Sequence, residues 1–166
     1  MASRWRFPWK PLPLRPTLGL GLAYFTLAAL GLLLAMPGTN ATAIWIPTGV
    51  AIAACLRYGP SVWPAILAGA FLANTLALAK LGLPPGPLLG AALATAIGNL
   101  AEALLASYLV ERFTRTRYPF NRVAQVLQFI LASAVLATAV SALVGTTAFC
   151  VFTGRWQFFY PMGASW

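Results

Sequence analysis

The sequence has no histidine, no aspartate and two glutamates in 166 residues, and only 8% of its side chains are charged. Soluble domains carry about 25% charged residues, so a soluble monomer is not expected. The scarcity also removes most routes to catalysis. A Ser-His-Asp triad, a histidine-based metal site and a flanking pair of acidic residues all need side chains this chain lacks. By itself it is not expected to be an enzyme, nor to hold a metal or cofactor. Cys55 and Cys150 each fall inside an apolar run, without the paired spacing of a disulfide framework or zinc site. They read as buried, unreactive thiols.

What is present is apolar: 60% of the residues are hydrophobic. Eleven Lys and Arg give a net charge of +9, which in a soluble protein would suggest nucleic acid. Here the basic residues lie between long uncharged runs and read as topology signals, so no nucleic-acid partner is expected. Crossing a bilayer core of about 30 Å takes roughly 20 helical residues. Leu18–Met36, Val62–Ala79, Leu88–Val110 and Val126–Phe149 meet that length. Leu18–Met36 is also longer than the core of a secretory signal, and further apolar runs follow it, so it reads as a retained first span. Ala43–Leu56 is marginal. Its Trp45-Ile46-Pro47-Thr48-Gly49 start fits either an irregular entry that becomes helical after Gly49 or a proline in the first turn of a helix.

Together these runs predict an all-α integral membrane protein, a polytopic helical bundle of about five spans. Trp156–Trp166 looks like the approach to an incomplete sixth. Residues 1–17 form a basic cytoplasmic segment and 18–166 the membrane-embedded domain. With the N-terminus inside, nine of the eleven basic residues fall in inner segments, and only Lys80 and Arg155 in outer ones. That bias favours a cytoplasmic N-terminus in a bacterial inner membrane and supports counting Ala43–Leu56 as a crossing. Most tryptophans, Trp5, Trp9, Trp45, Trp63, Trp156 and Trp166, are expected to anchor span ends at the interface.

Glu102 is the acidic residue inside a span. An ionised carboxylate there costs several kcal/mol, about 2.5–3.5 on insertion scales, so it should face other helices. At 100° per residue Ala91, Thr95, Gly98, Asn99, Glu102 and Ala106 share one face, opposite Leu93, Ile97, Leu100 and Leu104. Asn99 and Glu102 then line a polar pocket or proton-sensitive switch, or else act as interhelical glue. In Val126–Phe149, Ala134, Ala137, Thr138, Ser141, Gly145 and Ala148 form a small-residue packing face opposite Phe129, Leu136, Val140 and Leu143. Ala70, Ala73, Asn74 and Ala77 form a third such face, with Asn74 a further polar candidate.

The order of these features resembles the first of the bacterial membrane-associated sensor (MASE) domain families. The resemblance runs through Ala43-Ile44-Trp45-Ile46-Pro47-Thr48-Gly49-Val50-Ala51, then Trp63-Pro64 leading to Gly69-Ala70-Phe71-Leu72-Ala73-Asn74. It continues in Ala96-Ile97-Gly98-Asn99-Leu100-Ala101-Glu102-Ala103 and Ser141-Ala142-Leu143-Val144-Gly145. It implies a sensory input module that controls a cytosolic histidine kinase or cyclic-di-GMP enzyme, acting as a homodimer or through a membrane or cytosolic signalling partner. The resemblance reaches Trp166 before the family's usual downstream spans and effector, so a C-terminally truncated module is expected, and it names no ligand. Signal-site candidates are Glu102, Asn99, Asn74, Trp45, Pro47 and Thr48. Gly98, Thr95, Ser141, Gly145 and Thr138 are candidates for helix packing. A small-solute uptake subunit and a membrane anchor or assembly protein are the competing readings.

Overall fold

The computed structural model describes residues 12–33, 45–114 and 122–165, and among them every regular element is helical. Helix α1 (Leu14–Leu33) starts a turn earlier than the apolar run suggests. A proline costs little in a first turn, where its missing N–H has no partner to lose, so Pro16 does not delay the helix. Helix α2 (Ile46–Tyr58) likewise takes Pro47 into its first turn. Of the two readings of this start, the proline in a first turn holds and the irregular stretch up to Gly49 does not: Thr48 and Gly49 are already helical. Gly59 ends α2 at φ 79°, a left-handed conformation open to glycine, and its N–H donates to the Cys55 carbonyl at 2.8 Å. One 3-10 turn, Pro60–Val62, then leads into α3 (Trp63–Ala79).

Helix α4 (Pro85–Thr114) is 30 residues long, a turn or so beyond the expected Leu88–Val110 at each end. The fourth apolar run is helical throughout but not uniform. It comprises α5 (Val123–Ile130), a π-helical segment (Leu131–Ala137) and α6 (Thr138–Thr153). Among the described residues four stretches are long and apolar enough to cross a membrane: Leu14–Leu33, Pro60–Ala79, Pro85–Thr114 and Val123–Thr153. After α6, a 3-10 turn (Trp156–Phe158) precedes α7 (Phe159–Ser165), whose Phe159 and Met162 pack against a cluster containing Phe149 and Cys150.

Gly154 caps α6 at φ 70°, with its N–H on the Cys150 carbonyl at 2.8 Å. A side chain in that conformation costs about 1–2 kcal/mol. Gly154→Ala is therefore expected to lower stability by about that much, read as a shift in an unfolding curve in mixed micelles.

Side-chain pairings fix the helix directions. Thr48 meets Glu102 and Cys55 meets Ser107, so α2 and α4 run the same way. Glu102 meets Thr138, and Asn99 meets Ser141, so α6 runs opposite to α4. Gly21 lies against Ala65 and Tyr24 against Gly69, so α1 and α3 are parallel. The start of α1 with Arg15, the ends of α2 and α4 with Arg57 and Arg112, and Arg122 before α5 therefore gather at one end of the bundle. Lys80 and Arg155 lie at the other. Thr48, in the first turn of α2, is level with Glu102 near the middle of α4, so this 13-residue helix starts deep in the bundle.

The interior is built from small residues. Ala28, Ala51, Ala70, Ala73, Ala96, Ala103, Ala106 and Ala132 are buried, while Leu18, Leu22, Leu72, Leu93, Ile97 and Leu143 are exposed. That is the arrangement a lipid solvent favours, because association there depends on close backbone approach. The π segment changes one expected face. Ala134 is exposed, Ala132 and Ser133 are buried, and Phe129 packs against the core instead of facing lipid. A π turn holds an extra residue, which rotates everything upstream of Ala137 relative to a regular helix.

Candidate functional site

Asn99 and Glu102 stand one turn apart on the buried face of α4, at 4% and 3% exposure. Thr95, Gly98 and Ala106 share that face and are buried too, whereas Leu93 and Ile97 point outward. Gly98 makes the contact with α6 possible: a Cβ there would stand 3.1 Å from Val144 Cγ1 and 3.6 Å from the Ser141 carbonyl. With α4 and α6 this close, short side chains bridge them. Ser141 Oγ, fully buried, donates to Asn99 Oδ1 at 3.3 Å and lies within reach of Glu102. Gly145 is buried one turn further along.

The Glu102 carboxylate is held from two directions. Thr48 Oγ1 of α2 donates to Oε2 at 3.4 Å, and Thr138 Oγ1 of α6 lies 2.8 Å from Oε1. The groups acting on it are Thr138, Ser141 and Thr48, none of them charged. Thr48 also places the first turn of α2, the positive end of its dipole, beside the carboxylate. Pro47 is fully buried in that turn.

Tyr24 completes the cluster. It is 1% exposed, and its hydroxyl sits among Trp45, Asn99 and Glu102. Trp45 packs on the core beside Gly31, and its buried Nε1 has no hydrogen-bond partner among the described residues. It is thus not the interfacial anchor expected from its position in the sequence; Trp63 and Trp156, at 40% and 56% exposure, are outward-facing. Trp5, Trp9 and Trp166 lie outside the described residues.

The structure thus brings Trp45, Pro47, Thr48, Asn99, Glu102, Thr138 and Ser141 into one group. It leaves Asn74 apart, with its Nδ2 donating to the Ala70 carbonyl of its own helix at 2.8 Å. Sequence reasoning missed Tyr24 and Ser133. A tyrosine at the centre of the Leu14–Leu33 span was a usable signal, since a buried phenol needs polar company. Ser133 gave none, because its inward position depends on the π turn. Among the described residues no three His, Cys, Asp or Glu side chains converge as a metal site would require. Cys55 and Cys150 are both buried and free.

Chemically, the group offers one carboxyl, three hydroxyls from threonine and serine, an amide and two aromatic heads, all at mid-bundle depth. It can bind and release a proton or re-sort hydrogen bonds between helices. No curated protein and no solved structure is similar enough to match the chain. The MASE1 family matches residues 16–160, nearly the whole helical bundle including every residue of this cluster, and the chain therefore belongs to the MASE1 family of membrane-associated sensor domains.

Proposed function

We propose that this domain senses its signal through the Glu102 cluster and passes it to a cytosolic histidine kinase or cyclic-di-GMP enzyme. The observation that supports this reading most is the pair of hydroxyls, from α2 and from α6, that meet at one buried carboxyl of α4. A change in charge or occupancy there alters the contacts of three helices at once. Intramembrane ionisable residues are functional candidates by default, and membership of a sensor family gives this one a role to fill. The coding sequence that continues or adjoins this one tests the choice of effector: a kinase or diguanylate cyclase supports the reading, and an ATPase or permease partner speaks for uptake instead.

Orientation belongs to the same proposal. The bundle end that carries Arg15, Arg57, Arg112 and Arg122 faces the cytosol, because cytoplasmic loops retain positive charge. Single cysteines in a background lacking Cys55 and Cys150 check it. An impermeant thiol reagent applied to intact cells is expected to label positions in 37–42 and 81–87 and to spare those in 112–122. The reverse pattern overturns the orientation.

A further inference from the structure

Thr138 stands where the π segment meets α6, and its hydroxyl has two oxygen neighbours. Glu102 Oε1 is at 2.8 Å and the Ser133 carbonyl oxygen at 3.0 Å. A hydroxyl carries one proton. The hydroxyl is thus placed to donate to either oxygen but not to both by straight hydrogen bonds: an ionised Glu102 takes that proton, whereas a protonated Glu102, donating to Thr138 Oγ1, leaves the hydroxyl to donate to Ser133. The same Ser133 carbonyl accepts the backbone N–H of Thr138, the five-residue spacing that defines the π turn. With Glu102 protonated, the Thr138 hydroxyl supplies a second donor to the carbonyl on which the π register turns.

We propose that Thr138 relays the protonation state of Glu102 to the π segment. When Glu102 gives its proton to solvent, the Thr138 hydroxyl turns to donate to the carboxylate, and Ser133 loses that donor. The π turn then competes less well with the α register, in which the Ser133 carbonyl would accept from the N–H of Ala137. Tightening it rotates α5 by up to one residue step, about 100°. What the rotation has to undo on α5 is the packing of half-buried Phe129 on the core, since no residue of that helix is fully buried. The proposal rests on Glu102 being the sensing group and adds how its state leaves the site.

The groups around Glu102 keep the relay specific. From α1 the titratable side chain facing it is Tyr24; α2 offers Thr48 and its first turn, and α6 offers Thr138 and Ser141. On α4 itself, Glu111 and Arg112 lie more than two turns away. The positive end of α2 favours the ionised carboxyl and the apolar surroundings favour the protonated one, so the two forms compete within a single fold.

The test uses the full chain in lipid nanodiscs, with both native thiols replaced by alanine. Infrared difference spectra follow the protonated-carboxyl stretch across a pH titration, and its absence in Glu102→Gln assigns it. Spin labels at Ala53→Cys and Leu127→Cys, both at exposed positions, follow α5 against α2. The expected result is a change in label separation with the same midpoint as the carboxyl band. Thr138→Ser should keep both signals; Thr138→Val, and Thr138→Ala if valine misfolds, should keep the band and lose the label shift. A label shift that persists in Thr138→Ala overturns the relay, as does a wild-type chain with no titrating Glu102 band. Effector output is not read in this experiment. A working relay in a chain whose chimera ignores Glu102→Gln would therefore sink the sensing role alone, and a lost response with no relay would sink the relay alone.

Discussion

Glu102→Gln is expected to leave the bundle assembled and to abolish its response, fixing output at one level. The amide matches the carboxyl in size and can still accept from Thr48 while its N–H group donates to Thr138 Oγ1. It mimics the protonated acid and cannot ionise. Glu102→Ala removes the group to which both hydroxyls bond. Lost interhelical hydrogen bonds in membranes cost about 1–2 kcal/mol in model peptides, so the alanine chain should also lose stability by roughly that amount. A chimera joining this domain to a kinase or diguanylate cyclase reads the response, and thermal denaturation in detergent reads the stability. Full signalling by a stable Gln variant would eliminate the proton from the mechanism. Full signalling by Ala as well would remove Glu102 from the site.

The second large effect lies at a glycine with no such chemistry. A Cβ on Gly69 would meet the Gly21 carbonyl oxygen at 2.8 Å and Tyr24 Cβ at 3.0 Å. The first of these is backbone, and the second sits at the root of a buried side chain, so neither can swing aside. Overpacking of this kind costs about 1–3 kcal/mol, which outweighs the roughly 0.5–1 kcal/mol that alanine gains over glycine within a helix. Gly69→Ala should therefore destabilise the chain and Gly69→Leu should disrupt α1 against α3. Because Tyr24 lies on the same contact, both should also disturb the Glu102 cluster. Gly90→Ala is the control: its Cβ would strike the ring of Phe152, which is 40% exposed and can turn toward lipid. That variant should stay within about 0.5 kcal/mol of wild type, measured by unfolding in mixed micelles. Equal losses at 69 and 90 would show that backbone contact is not what limits these helices.

The inward face of α4 could be read from the sequence because Ala91, Thr95, Gly98, Asn99, Glu102 and Ala106 follow a single periodicity, with Leu93 and Ile97 turned away as expected. Leu100 and Leu104, which the same periodicity places on the lipid side, are nevertheless half-buried and pack against the core. The face of the last long run could be read only downstream of Ala137. Upstream the π turn moves Ala134 outward and brings Ser133 and Phe129 toward the core. No residue in Leu131-Ala-Ser-Ala-Val-Leu-Ala137 announces this, since the same small and apolar residues are equally at home in an α turn. Trp45 was misplaced for a related reason. Its position beside an apolar run suggests an interface, but the start of α2 lies level with Glu102, so the indole sits against Gly31 in the core.

By itself the sequence determined the solvent and the class of fold. Apolar run length, the near absence of charge and the spacing of Arg and Lys are local properties, and lipid acts on them residue by residue. It also singled out Glu102, because an acid in an apolar span is costly wherever the span lies. Only the tertiary structure decided what that acid touches. The depth at which α2 begins delivers Thr48, the close approach of α4 and α6 at Gly98 delivers Ser141, and the π turn sets Ser133 behind Thr138. Each depends on how far one helix slides or turns against another. That offset is set by backbone contact and hydrogen-bond register between segments distant in sequence, which no pattern within a single helix encodes.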